Sequence, residues 1–237
     1  MSKLSVIATP IGNMEDITLR ALRILSESDF VLCEDTRVTK KLLSHYNIQA
    51  NTFSYHQHSG AKKVDHIIDL LKQGKNLALV SDAGTPGISD PGGKLIEAVA
   101  KELGAEVEIE AIPGPSAVIA ALSVSGMPTD KFLFLGYPPH KKGRQKFIYS
   151  ILASDYTVAV YESKHRIRRF LEEIEGAKEV VEKSSDQDIT INMVVCRELT
   201  KMHETVYRGS VEEIKKQIIG GGEGAKKGEF VIIMNIG

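Results

Sequence analysis

The stretch that most limits how this chain can fold is residues 81–93, SDAGTPGISDPGG. It follows Leu77–Val80, an apolar run of strand length, and precedes a helix-like apolar pattern over 94–103 that Gly104 would stop. Four glycines, two prolines and two aspartates are thereby placed at the carboxyl end of a strand. In an open α/β sheet, that edge is where ligands bind. Glycine lets a ligand approach backbone groups closely, and proline stiffens the loop. Asp82, just past the strand, is placed to accept hydrogen bonds from ribose hydroxyls or from a cationic ligand. The competing reading is a tightly turned connector, but loops of this length are usually functional or disordered, and this composition reads as rigid.

The same arrangement recurs along the first half. Residues 4–8 read as a strand running into TPIGNMEDIT, followed by a helix with Leu19, Leu22, Ile24 and Leu25 on its apolar face and Asp16 or Thr18 as its cap. One glycine stands where a dinucleotide fingerprint needs three, and no P-loop is present, so neither nucleotide site is expected. Phe30–Cys33 reads as a strand ending in Glu34-Asp35-Thr36-Arg37, either a ligand edge or an ion-pair cluster, and a helix is expected over 38–46. A short strand over 52–55 leads to His56-Gln57-His58. Alternating histidines on an extended segment point to opposite faces, which suits a polar loop with His56 toward the site better than zinc ligation. A helix over 62–73 follows. Val107–Ile112 then reads as a strand ending in Pro113-Gly114-Pro115-Ser116, where Ser116 can cap the helix Ala117–Ser125 and leave N–H groups for a ligand oxygen.

Composition shifts at 126–130, which reads as a linker. Residues 132–135 open a second unit and end in Gly136-Tyr137-Pro138-Pro139. The segment 140–146 carries Lys141, Lys142, Arg144 and Lys146, a run that suits a solvated face or phosphate contact equally. A strand over 156–161 leads into Glu162-Ser163-Lys164-His165-Arg166 and a helix through Ile167, Phe170, Leu171 and Ile174. A strand over 189–196 ends in Arg197-Glu198-Leu199-Thr200-Lys201, a short extended piece lies within 202–208, and Ser210 caps a further helix. A glycine-rich loop at 220–225 and a strand over 230–234 close the chain. The expectation is an α/β fold of two α/β domains, 1–125 and 126–237, facing each other across a cleft that holds a small molecule.

Lysine plus arginine nearly balance aspartate plus glutamate, for a formal net charge of −1, so any nucleic-acid contact must come from local patches. Cys33 and Cys196 both lie in apolar runs and read as small buried hydrophobes of a reduced protein. The first residues read as a strand and not a signal peptide, and no apolar run approaches membrane-span length, so a cytoplasmic protein is expected. No metal-ligand cluster and no G-x-S-x-G nucleophile motif occurs. Chemistry without a nucleophile or a metal points to group transfer between two bound substrates.

The motifs Thr9-Pro-Ile-Gly-Asn13 with Asp16-Ile-Thr18, Glu34-Asp-Thr-Arg37, the 81–92 loop, Pro113-Gly-Pro-Ser116, Tyr161-Glu-Ser-Lys-His-Arg166, Arg197-Glu-Leu-Thr-Lys201 and Lys227-Gly-Glu-Phe230 occur in order along almost the whole chain. Together they resemble the bacterial 16S ribosomal RNA (cytidine 2′-O)-methyltransferase family, a branch of the tetrapyrrole-methylase, class III, superfamily. The resemblance implies methyl transfer from S-adenosyl-L-methionine to a ribose 2′-hydroxyl of a cytidine in the decoding region. It implies a two-domain α/β fold with the cofactor in the interdomain cleft, a homodimer, and 16S rRNA in the small ribosomal subunit as partner.

Carried over by position, the cofactor site takes Asp82, Ala83, Gly84, Ile88, Ser116 and Ala117, with Tyr161, Glu162, Arg197 and Glu198 from the second domain. Pro10, Asn13 and Asp16 with Glu34, Asp35 and Arg37 face the substrate side, Pro10 also meeting the cofactor and Asn13 and Asp16 the RNA. Either Glu34 or Asp35 would serve as general base, with Arg37 holding it or a phosphate. Many family members continue past the Lys-Gly-Glu motif, whereas this sequence stops at Gly237, which moves the expected RNA grip onto Lys141, Lys142, Arg144 and the dimer surface. The nearest rival is a tetrapyrrole methyltransferase, whose polycarboxylate substrate would also suit basic residues. A non-catalytic RNA-binding factor on the same fold is the rival from another class.

Overall fold

The computed structural model describes residues 1–56, 59–185, 188–221 and 228–237. His58, Lys227 and most of the glycine-rich loop lie outside the described residues. The chain divides into two compact units, Met1–Ser116 and Ala117–Gly237. The division falls nine residues before the one expected at 125/126, because the helix Ala117–Ser125 packs on strands of the second unit.

The first unit runs β1 (Ser2–Ile7), α1 (Leu19–Glu27), β2 (Phe30–Cys33), α2 (Thr36–His45), β3 (Asn51–Ser54), α3 (Ala61–Lys72), β4 (Leu77–Val80), α4 (Gly93–Leu103) and β5 (Val107–Ile112). Its five strands form one parallel sheet in the order β3-β2-β4-β1-β5. Such strands are covered on both faces, and β4 is buried at all four positions. Leu77 and Leu79 join the core with α3 and α4, and Ala78 and Val80 join the core with α1 and α2. Hence β4 leads to a helix on one face while its neighbours β1 and β2 lead to helices on the other. The sheet therefore has a switch point on each side of the carboxyl end of β4, where crevices for ligands open.

Local signals account for the helix starts. Thr18 caps α1, its side chain accepting from the Ala21 N–H. Asp35 caps α2, accepting from the Arg37 N–H, so that helix starts two residues earlier than expected.

The second unit runs α5 (Ala117–Ser125), β6 (Phe132–Phe134), α6 (Arg144–Leu152), β7 (Thr157–Ser163), α7 (Ile167–Ser185), β8 (Ile191–Arg197), β9 (Thr205–Gly209), α8 (Val211–Gly220) and β10 (Glu229–Ile236). Its mixed sheet has the order β6-β7-β10-β8-β9, with β10 antiparallel to both of its neighbours and β6 parallel to β7. α6, α7 and α8 bury Ile148, Phe170 and Ile214 against Val160, Val195 and Ile232. Ser210 and Glu213 form a reciprocal capping box at the start of α8. The 140–146 run is half loop and half helix, since α6 begins at Arg144 behind a left-handed Gly143.

One backbone device reaches from this frame into the ligand edge. Beyond β1 and β4, Thr9 and Gly84 exchange both backbone hydrogen bonds, at 2.9 and 3.0 Å, in an antiparallel bridge. Gly84 sits at φ +77°, and a Cβ there would lie 3.4 Å from Ile11 Cγ2. Gly84→Ala is therefore expected to cost about 1–2 kcal/mol from the left-handed backbone alone. A lowered urea midpoint checks this.

Candidate active site

Four loops of the first unit meet at the carboxyl edge of its sheet, and the loop after β4 is tied to the other three. Toward β1 it makes the Thr9–Gly84 bridge, reinforced by the Thr9 hydroxyl donating to the Ser81 carbonyl at 3.1 Å. Toward β2, the Asp35 N–H donates to Asp82 Oδ1 at 3.1 Å. Toward β5, the Thr85 hydroxyl donates to the Pro115 carbonyl at 3.2 Å. The β5 loop also closes on β1: a Cβ on Gly114 would sit 3.0 Å from the Ala8 Cβ. The expected cofactor residues Pro10, Asp82, Ala83, Gly84 and Ile88 thus share one edge with Ser116, and Asp82, Ala83 and Ile88 are exposed there. In the β1 loop, the Asn13 side chain accepts from the Glu15 N–H and caps a short 3-10 turn that ends at the exposed Asp16.

The two adjacent carboxylates after β2 are unlike. Asp35 is engaged by its own helix, accepting from the Arg37 backbone N–H at 2.8 Å and from the Arg37 guanidinium at 2.6 Å. Arg37 hydrogen bonding holds the Asp35 carboxyl down at about 2. Glu34 moves the other way: burial raises its carboxyl, the charges of Asp82 and Asp35 raise it further, and His56 offsets part of the rise. The edge therefore presents carboxylates and backbone groups, with Arg37 paired to Asp35. These acceptors suit a cationic, hydroxyl-bearing ligand and fit a phosphate poorly.

In the second unit, the Tyr161 hydroxyl accepts from the Val118 N–H at 3.2 Å, occupying one amide of the first turn of α5. Its ring packs edge-on to Phe134 and Tyr137, with centroids 4.8 and 5.5 Å away. Arg197 is nearly buried and donates to the His203 carbonyl.

Three of the expected site side chains are engaged within the protein. Arg144 is only 3% exposed, with its guanidinium donating to Glu173, Glu162 and the Pro139 carbonyl, so it has no face left for RNA. The Glu162 carboxylate is fully buried between Arg144 at 3.5 Å and Arg166 at 2.9 Å and also accepts from the Ser163 N–H. Its side chain is engaged wholly within the protein. Glu198 stands at φ +52° and accepts from the Glu229 N–H and from Lys201, latching the end of β8 to the start of β10. Burial raises the Glu198 carboxyl, but the Glu229 amide and Lys201 outweigh it and leave it below its usual range. Gly228 belongs to this latch, since a Cβ there would meet Glu198 Cγ at 2.4 Å. Lys141 and Lys142 remain exposed.

The sequence reading missed the Arg144–Glu162–Arg166–Glu173 network, which links the end of β7 to α6 and α7. The Glu-x-x-x-Arg spacing of 162 and 166 was its visible part. The capping role of Asp35 was missed as well, because the helix was expected to begin at Val38; an Asp just ahead of a helical pattern was the available signal. Both cysteines are buried with raised thiols, Cys196 at about 11, and so are inert as nucleophiles.

The sequence profile of the tetrapyrrole (corrin/porphyrin) methylases matches residues 3–215. The chain is 44% identical over 239 residues to the ribosomal RNA small subunit methyltransferase I of Hydrogenobaculum sp. (strain Y04AAS1), covering 98% of this chain and 95% of that one. It is 40% identical to the protein of the same name from Thermotoga maritima, covering 90% of each, and 40% identical to that from Escherichia coli O157:H7, covering 98% of this chain and 77% of that one. Among solved structures, the methyltransferase CobJ superposes with a TM-score of 0.68 at 17% identity, over 99% of this chain and 94% of that one. The cobalt precorrin-4 methyltransferase CbiF superposes with a TM-score of 0.66 at 20% identity, over 98% and 94%. At these identities the two structures establish a shared fold.

Glu162→Ala would remove the buried carboxylate between Arg144 and Arg166, leaving Arg144 with Glu173 and Arg166 with no carboxylate partner among the described residues. It is expected to destabilise the protein by about 3–5 kcal/mol, as when one partner of a buried pair is removed. Chemical denaturation followed by circular dichroism measures it.

Proposed function

The chain belongs to the tetrapyrrole (corrin/porphyrin) methylase family, alongside relatives named ribosomal RNA small subunit methyltransferase I, and from that membership we propose that it moves a methyl group from S-adenosyl-L-methionine to the ribose 2′-hydroxyl of a cytidine in the decoding region of 16S ribosomal RNA. One observation carries the reading. Relatives named for small-subunit ribosomal RNA match over 90–98% of this chain at 40–44% identity, whereas the corrin-type structures share 17–20%.

The bound donor supplies a methyl already activated on a sulfonium. The protein's part is then to align the acceptor oxygen with that methyl, which can supply roughly 7–11 kcal/mol of the barrier. In this proposal Asp82 accepts from donor hydroxyls, and Pro10, Ala83, Gly84 and Ile88 offer backbone and apolar contact. Ser116 lies on the same edge. Glu34, Asp35 and Arg37 stand on the acceptor side, and Asn13, Asp16, Lys141 and Lys142 meet RNA. An assembled small subunit as substrate, a second copy of the chain and a cytoplasmic setting belong to the same proposal. Among the described residues, no helix is long and apolar enough to cross a membrane.

Incubation with labelled donor and small subunits lacking the modification is expected to place label on one cytidine ribose of 16S RNA. Label confined to protein or to a tetrapyrrole would overturn the reading. Replacing Lys141 and Lys142 by Ala is expected to weaken subunit binding and flatten its salt dependence, by about 0.7–0.9 in the log–log slope for each phosphate no longer neutralised. Donor affinity, measured by calorimetry, should stay unchanged.

A further inference from the structure

Three carboxylates stand near one another after β2 and β4, and two of them are engaged. Asp35 caps α2 and holds Arg37. Asp82 receives the Asp35 N–H. Glu34 has no hydrogen-bond or ion-pair partner among the described residues, although it is only partly exposed. It is the first residue past β2, beside the β4 loop to which the next residue is bonded. The β2–β3 ladder carries on past the strands, with the Tyr55 N–H donating to the Cys33 carbonyl at 2.8 Å, and this sets His56 near Glu34. The charged and titratable groups acting on Glu34 are Asp82 from the β4 loop, His56 beyond β3 and Asp35 on its own loop.

We infer that Glu34, and not Asp35, accepts the proton of the acceptor hydroxyl during methyl transfer. The inference rests on the proposed ribose 2′-hydroxyl acceptor. The O–H bond breaks and its proton goes to a Glu34 carboxylate oxygen. The oxygen's electron pair forms the new bond to the methyl carbon of S-adenosyl-L-methionine. The carbon–sulfur bond breaks, and its electron pair stays on sulfur, which becomes a neutral thioether. Glu34 then passes its proton to water.

Without a hydrogen-bond or ion-pair partner among the described residues and partly desolvated, Glu34 is a better proton acceptor than an ordinary surface carboxylate, and Asp82 and Asp35 push in the same direction. Asp35, held at about 2 by Arg37, is a poor base. The stability linkage has a definite sign. Because the folded carboxyl of Glu34 is raised above its ordinary 4.5, the folded protein holds that proton more tightly than the unfolded chain. Its stabilising contribution is lost as pH climbs from the ordinary value through the raised one.

The test uses the full chain and two readouts. The first is single-turnover methylation of unmodified small subunits at saturating donor across pH 5–9. Glu34→Gln is expected to slow transfer by about a hundredfold or more and to abolish the acid limb of the profile. Donor affinity by calorimetry should stay near wild type. Glu34→Asp should keep the limb at reduced rate. Asp35→Asn, which loosens α2 and Arg37, should lower the rate without removing the limb. The second readout needs no donor: the melting temperature of Glu34→Gln relative to wild type should rise as pH increases through the acid window. A Glu34→Gln enzyme with a near-normal rate and an intact acid limb overturns the assignment. A melting difference that does not change with pH also counts against it. A wild-type protein that methylates no ribose brings down the acceptor reading, and this assignment with it.

Discussion

Hydrogen bonds from one loop to three others hold the first unit's ligand edge together. Gly84, Asp82 and Thr85 lie within four residues of one another, yet they bind the loops after β1, β2 and β5 respectively. Each bond contributes a modest net stability, of the order of 0.5–1.5 kcal/mol. Their larger effect is positional. Loops from different strands would otherwise move independently, and misplacement of a reacting group by about 1 Å can cost a hundredfold in rate. The switch points flanking β4 make the arrangement possible, because they leave its carboxyl end open on both sides.

Residues that look alike in the sequence divide into support and contact according to burial and partners. Asp35 and Glu34 are adjacent carboxylates, but one caps a helix while the other has no partner among the described residues. Arg144 and Lys142 belong to one basic run, but Arg144 turns inward to Glu162 and Glu173 while Lys142 remains in solvent. The buried cluster around Glu162 is balanced by two arginines and a backbone amide, which makes so deep a carboxylate tolerable. Its cations are held partly by the Pro138 and Pro139 carbonyls, so the β6 loop is fixed by the same charges.

Much of this was legible in the sequence, and what was not has physical reasons. β2, β4, β5 and α5 have the bounds that apolar runs and punctuating Gly, Pro and Ser indicated. The unit boundary was missed because α5, AVIAALSVS, is apolar all round and carries no stripe to say which sheet it covers. α6 was hidden in a charge run whose first helical residue is an inward-facing arginine. The choice between Glu34 and Asp35 needed distances, since both sit at one strand end. The membership of the second sheet was also out of reach, because its pairings join residues far apart in the chain.

That last feature bears on how the protein is made. β10 occupies the middle of the second sheet, yet among its strands it leaves the synthetic machinery last. Until it arrives, β6–β7 and β8–β9 are two separate ribbons whose inner edges have no partner. Such edges invite association with other chains. The first unit, whose sheet closes by residue 112, can be complete on a nascent chain while the second still waits for its spine. The emerging polypeptide thus passes through a half-finished stage, and chaperone engagement would be concentrated on its later half.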